Sequence, residues 1–223
     1  MPLTHGSLSH NEVHGQDAFI VDTKGYFFAV GDGVSNIGPN KINKSGEVAK
    51  VALEAASYGW RKKRPSSAMK SASRAVGRLT IDGVTTLTGV GISFVDSKRI
   101  GLSVLHIGDS GVALATRDSF RRITPAHNAV DRSNVLAGFL KAGVGLGGIA
   151  KPFYQELELD KDANFTLALF TDGAYDGYRE DRLHSIMMDR GTGAQATANQ
   201  MLASNPYRGR DDATVVVLKN LPA

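Results

Sequence analysis

The 223-residue chain contains no cysteine. Disulfides, thiol nucleophiles and zinc sites built on thiolates are therefore excluded. No unbroken apolar window is long enough to span a bilayer, so no membrane partner is expected. The opening residues, Met1-Pro2-Leu3-Thr4-His5-Gly6, show no basic stretch followed by an apolar one. The expectation is a soluble, cytoplasmic protein. Runs of five or six like charges are also missing. Lys+Arg 26 against Asp+Glu 22 gives a formal charge of +4, too small an excess to argue for a nucleic-acid partner. The densest basic cluster, Arg61-Lys62-Lys63-Arg64, reads as a solvated helix end. Repeats and low-complexity segments are absent as well. With 42% hydrophobic residues, residues 1–223 read as one globular domain.

What the chain does have is glycine: 25 residues, about 11% against a usual ~7%. These glycines sit beside apolar runs, and several adjoin an aspartate. Ala18–Val21 and Tyr26–Val30, around Thr23-Lys24-Gly25, predict a hairpin. Val48, Val51, Ala52, Ala55 and Ala56 have helical spacing over residues 45–61, with Ser45 as N-cap. Pro65 and Ser66 open a second helix carrying Met69, Ala72, Ala75, Val76 and Leu79 on one face. Strands are expected over 85–95, 100–107, 112–116 and 121–124. A short helix near 130–140 and a glycine-rich stretch follow. Strands over 153–159 and 165–170, helices over 178–189 and 193–203, and a strand over 213–218 complete the chain. The order lacks strict β-α alternation, and hairpins dominate. The fold class is therefore α+β. Two mostly antiparallel sheets form a sandwich, with a helix pair on each outer face.

Acidic residues recur at the ends of these strands. Asp32 ends one, Asp109 another and Asp172 a third. Asp211 and Asp212 precede the last strand, and Asp17 precedes the first hairpin. Strand ends can converge at one rim of a sandwich. Converged carboxylates repel unless cations neutralise them. An all-oxygen donor set suits Mg²⁺ or Mn²⁺. Two such ions about 4 Å apart can activate a water and hold a phosphoryl oxygen. A single Asp-Gly is also an ordinary turn, so the argument rests on the repetition.

Gly15-Gln16-Asp17-Ala18, Val30-Gly31-Asp32-Gly33, Ile107-Gly108-Asp109-Ser110, Phe170-Thr171-Asp172-Gly173 and Arg210-Asp211-Asp212-Ala213-Thr214-Val215 occur in this order. So do Thr85-Thr86-Leu87 and Ile123-Thr124-Pro125-Ala126-His127. From about residue 6 to 219 the chain resembles the metal-dependent PP2C (PPM) protein phosphatases, in their bacterial branch. The resemblance implies a four-layer αββα sandwich that dephosphorylates phosphoserine and phosphothreonine with Mn²⁺ or Mg²⁺. Two ions, with a third possible, would be held. On this resemblance Asp32 bridges the pair and the Gly33 carbonyl falls on the first ion. Asp172 and Asp211 fall on the second, Asp17 acts through water, and Asp109 helps hold a third, weaker ion. A water between the ions would attack phosphorus in line, with no phosphoenzyme. The implied partner is a phosphorylated protein, with a cognate Ser/Thr kinase by family analogy, and the expected state is a monomer.

The chain departs from the family at several positions. Glu12 stands where the family's phosphate-binding arginine lies. His10, His14, Lys41, Lys44 and Arg210 are the candidate substitutes. Val34 replaces a histidine found in eukaryotic members, Gly111 an arginine and Asp212 an asparagine. Gln16 replaces a glutamate. Two alternatives therefore stay open: a pseudophosphatase that binds phosphoproteins, and another two-metal phosphohydrolase. Gly143–Gly148 fits G-x-G-x-x-G but lacks the strand–turn–helix context of a dinucleotide site, and reads as a flap. His106 reads as a core or rim residue and His184 as exposed. Trp60, Tyr58 and Met69 read as packing residues.

Overall fold

Apolar residues that alternate along a strand supply two faces, and both faces of most strands are buried here. In the computed structural model, which describes residues 3–34, 44–79, 83–125, 128–129, 139–140 and 152–220, this produces four layers. The strands are β1 (Thr4–His10), β2 (Ala18–Asp22), β3 (Phe27–Gly31), β4 (Leu87–Phe94), β5 (Arg99–Ile107), β6 (Gly111–Thr116), β7 (Phe120–Arg122), β8 (Asn128–Ala129), β9 (Phe139–Leu140), β10 (Phe153–Asp160), β11 (Phe165–Phe170) and β12 (Ala213–Asn220). The helices are α1 (Ser45–Trp60), α2 (Pro65–Val76), α3 (Asp172–Tyr175), α4 (Glu180–Met188) and α5 (Ala194–Ala203). One sheet has the order β1-β12-β11-β6-β7 and the other β10-β5-β4-β3-β2. All their pairings are antiparallel.

The alternation sorts side chains into three cores. Phe27 and Ala29 face α1 and α2, joining Leu53, Trp60 and Met69. Phe28 and Val30 face the other sheet, joining Leu167, Leu169, Val216 and Leu218. Val215 and Val217 point the opposite way, onto Leu183, Met187, Ala198 and Met201 of α4 and α5. The expected helix–sheet–sheet–helix order is therefore observed.

Several details differ from expectation. β1 was not foreseen. It has no apolar run, and it is held by pairing along its length with β12, from Thr4 opposite Lys219 to His10 opposite Ala213. α3, a single turn carrying Asp172, was not foreseen either. The strand expected over 121–124 lies at Phe120–Arg122. Trp60 and Met69 are buried, but Tyr58 is exposed on α1 rather than packed in the core. Its ring is met by the Arg61 guanidinium, 5.0 Å from the centroid. Arg61–Arg64 are exposed between the two helices, as expected. The helix expected near 130–140 lies outside the described residues except at its end, where Phe139–Leu140 is a strand paired with Asn128–Ala129. Lys41 and Gly143–Gly148 also lie outside them. Among the described residues, no helix is long and apolar enough to cross a membrane.

Candidate metal centre

Three strands leave the sandwich at one rim, and each delivers an aspartate there. β3 delivers Asp32, β5 delivers Asp109 and β11 delivers Asp172. One carboxylate oxygen from each lies within 4.8 Å of the other two.

Local hydrogen bonds hold this convergence. The Asp32 N–H donates to Thr86 Oγ1 at 2.8 Å. Its carbonyl accepts from Thr85 Oγ1 at 2.9 Å and from the Thr86 N–H at 2.8 Å. Thr86 Oγ1 also meets Ser110 Oγ at 2.6 Å, which ties the Asp32 turn to the Asp109 turn. Gly108 makes that turn with φ +116°, and a Cβ there would lie 2.6 Å from the Thr86 side chain. Only glycine suits both demands. Beside Asp172, the Gly173 N–H donates to the carboxylate at 2.8 Å.

Asp17 borders the cluster. Thr171 Oγ1 donates to its Oδ2 at 2.8 Å. Its Oδ1 is buried with no hydrogen-bond partner among the described residues. Asn11 fixes the Asp17 backbone in both directions, at 2.8 and 3.0 Å. Asp211 is more exposed, and its Oδ1 lies 3.9 Å from His14 Nε2. The ligand set implied by the resemblance is thus divided. Asp109 sits inside the tight cluster with Asp32 and Asp172, while Asp211 stands outside it, near enough to Asp172 to feel its charge.

Asp212 has a different task. Its Oδ1 accepts the N–H groups of Val13 and His14 at 2.9 and 3.0 Å, and its Oδ2 that of Gln16 at 2.8 Å. An ionised carboxylate suits three such donors, as it offers only acceptors. Asp212 therefore folds the β1–β2 loop over the rim, which leaves Asp211 the outward position.

The electrostatics fit a cation. Burial first, then the Asp172 and Asp17 charges, hold the Asp32 carboxyl well above the usual range. Burial and Asp172 push Asp109 up to about 7. Burial also pushes Asp17 up to about 7, against the lowering effect of Thr171. Asp32, Asp109 and Asp17 thus resist ionising, a cost that a bound cation removes. An all-oxygen cluster with a buried, unpartnered carboxylate oxygen matches hard divalent ions such as Mn²⁺ or Mg²⁺.

A cleft of about 450 Å³ opens between Asp211 and Gly173, lined also by His10, Glu12, Asn205 and Arg208; the three clustered carboxylates do not line it. His10 is therefore placed as a cleft residue. Lys44 stands at the N-cap of α1. Arg210 is exposed and lies over the Tyr207 ring, 4.6 Å from its centroid. The sequence reading passed over Arg208. Its only signal was its place two residues before Arg210. His106 is fully buried, between Thr88 Oγ1 at 2.8 Å and the Pro125 carbonyl at 2.7 Å. His184 is half-buried rather than exposed, because its ring meets the Thr116 carbonyl at 2.8 Å.

Solved structures share this architecture. The PPM Ser-Thr phosphatase MsPP from Mycobacterium smegmatis, solved with cacodylate, superposes with a TM-score of 0.73 at 19% identity over 98% of each chain. The chain has the fold of the PPM phosphatases. PppA, a regulatory component of the T6SS in Pseudomonas aeruginosa, matches with a TM-score of 0.74 at 15% identity, over 97% of this chain and 96% of its own. The catalytic domain of the serine threonine protein phosphatase PstP, solved with 2 manganese ions, matches with a TM-score of 0.69 at 16% identity over 99% of each chain. No family model and no curated protein matches the chain by sequence. The PPM likeness is thus carried by backbone architecture and the short motifs at the rim.

Proposed function

We propose that this chain is a metal-dependent protein phosphatase of PP2C type, hydrolysing phosphoserine and phosphothreonine as one catalytic domain. The observation that carries the reading is the Asp32–Asp109–Asp172 cluster, three carboxylates brought within 4.8 Å at one rim of a PPM fold. Asp32, Asp109 and Asp172 would hold Mn²⁺ or Mg²⁺, with the Gly33 carbonyl, Asp211 and Asp17 around them. When bound, two such ions supply a nucleophilic water at neutral pH and polarise the phosphoryl group.

The chain's own residues do the rest. Thr85, Thr86 and Ser110 fix the two turns, so the carboxylates meet the ions without rearrangement. Thr171 orients Asp17, which accepts protons and hydrogen bonds at its free oxygen. His10 and Arg208, on the wall of the cleft, are the cations best placed to receive a phosphate, with His14 beside Asp211. They would stand in for the arginine that Glu12 replaces. Glu12 itself lines the cleft and repels a dianion, which limits affinity for small phosphate esters. A phosphopeptide can offset that through contacts elsewhere along the cleft. The implied partners are phosphoproteins, among them a cognate Ser/Thr kinase, met by a monomer in the cytoplasm.

The test is phosphate release from a phosphothreonine peptide with and without Mn²⁺. Wild type should be active only with the metal. Asp32→Asn and Asp172→Asn should lose at least about a hundredfold in rate while melting cooperatively. Full activity in either variant would remove that residue from the site. The departures at Glu12 and Gln16 from the family's pattern leave a second reading, a phosphoprotein-binding module with little turnover. Phosphopeptide binding without hydrolysis, with no Mn²⁺ bound at millimolar concentration, would select it.

A further inference from the structure

β7 carries a cation that is neither one of the carboxylates nor part of the cleft lining. The half-buried Arg122 on β7 sends its guanidinium back over Gly111 towards the rim. Its Nη2 donates to the Asp109 carbonyl at 2.6 Å and to the Ser110 carbonyl at 3.2 Å. Its Cζ lies 5.5 Å from the Phe170 centroid and 5.0 Å from that of Tyr175. Those rings stack on each other at 4.4 Å with 13° between planes. Phe170 ends β11 and Tyr175 ends α3, so the pair brackets Asp172. Gly111 leaves the space for this path: a Cβ there would lie 3.0 Å from Arg122 Nε and 2.7 Å from the Phe170 ring.

One planar group therefore touches the segments carrying two of the three clustered carboxylates. It bonds the backbone of the Asp109 turn and packs on the rings on either side of Asp172. We propose that Arg122 is a positioning residue, a rigid brace that sets the separation of Asp109 from Asp172 and hence the quality of the cation site between them. Charge alone is a poor account of it. A fixed positive charge beside the cluster helps Asp109 ionise but also repels a divalent cation, so the two effects oppose each other and geometry is the distinctive contribution. Guanidinium is suited to that: it offers a fixed plane for the rings and fixed N–H directions for the carbonyls. A lysine supplies the charge but neither of these.

The separating experiment uses the whole chain with Arg122→Lys, which keeps the charge and loses the plane, and Arg122→Met, which keeps apolar packing on the rings and loses both. Three readouts are taken: melting of the metal-free protein, calorimetric titration with Mn²⁺, and kcat and KM on a phosphothreonine peptide. In both variants Mn²⁺ affinity should fall about tenfold. kcat should fall by a similar factor and KM stay within about twofold. If Arg122→Met does not fold, Arg122→Lys decides alone. A folded Arg122→Lys that binds Mn²⁺ and turns over within twofold of wild type would overturn the brace. Only the kinetic readout rests on the phosphatase reading. If wild type binds Mn²⁺ but releases no phosphate, that reading fails. A tenfold loss of Mn²⁺ affinity in Arg122→Lys would still uphold the brace.

Discussion

Asp17 concentrates the conflict between stability and function in one side chain. It is 6% exposed, it accepts one hydrogen bond from Thr171, and its second oxygen has no partner among the described residues. A buried carboxylate in that state costs stability unless a cation or proton compensates. Asp17→Asn should therefore raise the melting temperature of the EDTA-treated protein at pH 8. It should also weaken Mn²⁺ binding by about tenfold to a hundredfold. Differential scanning calorimetry and isothermal titration on one preparation check both. A lower metal-free melting temperature would contradict the electrostatic account. At this scale much was legible in sequence. Asp32, Asp109 and Asp172 announce themselves by ending apolar runs beside glycine. The preference for Asp211 over Asp212 rested on the resemblance, in which Asp212 stands where the family has an asparagine. Arg122 and Arg208 were not legible. A cation's role depends on where its long side chain reaches, and neighbouring letters do not encode that.

Among the elements, α1 and α2 show most clearly how packing is separated from the site. Trp60 is the largest fully buried side chain. It stacks on Phe27 at 5.7 Å, and its indole N–H donates to the Gly25 carbonyl at 3.1 Å. It sits with the α1–α2 packing cluster and away from the carboxylate rim. Trp60→Ala should therefore cost about 3–5 kcal/mol in urea denaturation. Mn²⁺ affinity of the folded fraction should be unchanged. A change beyond twofold would show that the helix layer communicates with the rim. Elements with strong period were read correctly because their burial is intrinsic to their own residues: β3, β5, β11 and β12 on both faces, α1 on one. β1 escaped because its stability comes from a partner. Thr4–His10 contains one large apolar residue, Leu8, and gains its hydrogen bonds from β12 more than 200 positions away. α3 escaped because one turn is too short to show a period.

For the molecule as a whole, the carboxylate rim couples folding, protons and metal. Without metal, Asp17 and Asp109 titrate near 7 when folded, against an ordinary value of 3.8, and Asp32 is displaced the same way. The folded state then binds more protons than the unfolded state above about pH 4, so metal-free stability falls as pH rises from there through about 7. The same protons compete with Mn²⁺, so apparent affinity should rise with pH through about 7. Melting in EDTA and calorimetric titration from pH 5 to 8.5 check the two trends, which must run in opposite directions. A metal-free stability that rises over pH 5 to 7 would contradict the account. The sandwich brings three strand ends to one rim, where the carboxylates would hold the ions of a phosphatase. The most direct measurement is the rate of phosphate release from a phosphothreonine peptide as Mn²⁺ is titrated into metal-free protein. The account predicts no release in EDTA and a saturable rise with Mn²⁺ that Asp32→Asn abolishes. Release that is independent of Mn²⁺, or none at millimolar Mn²⁺, would contradict it.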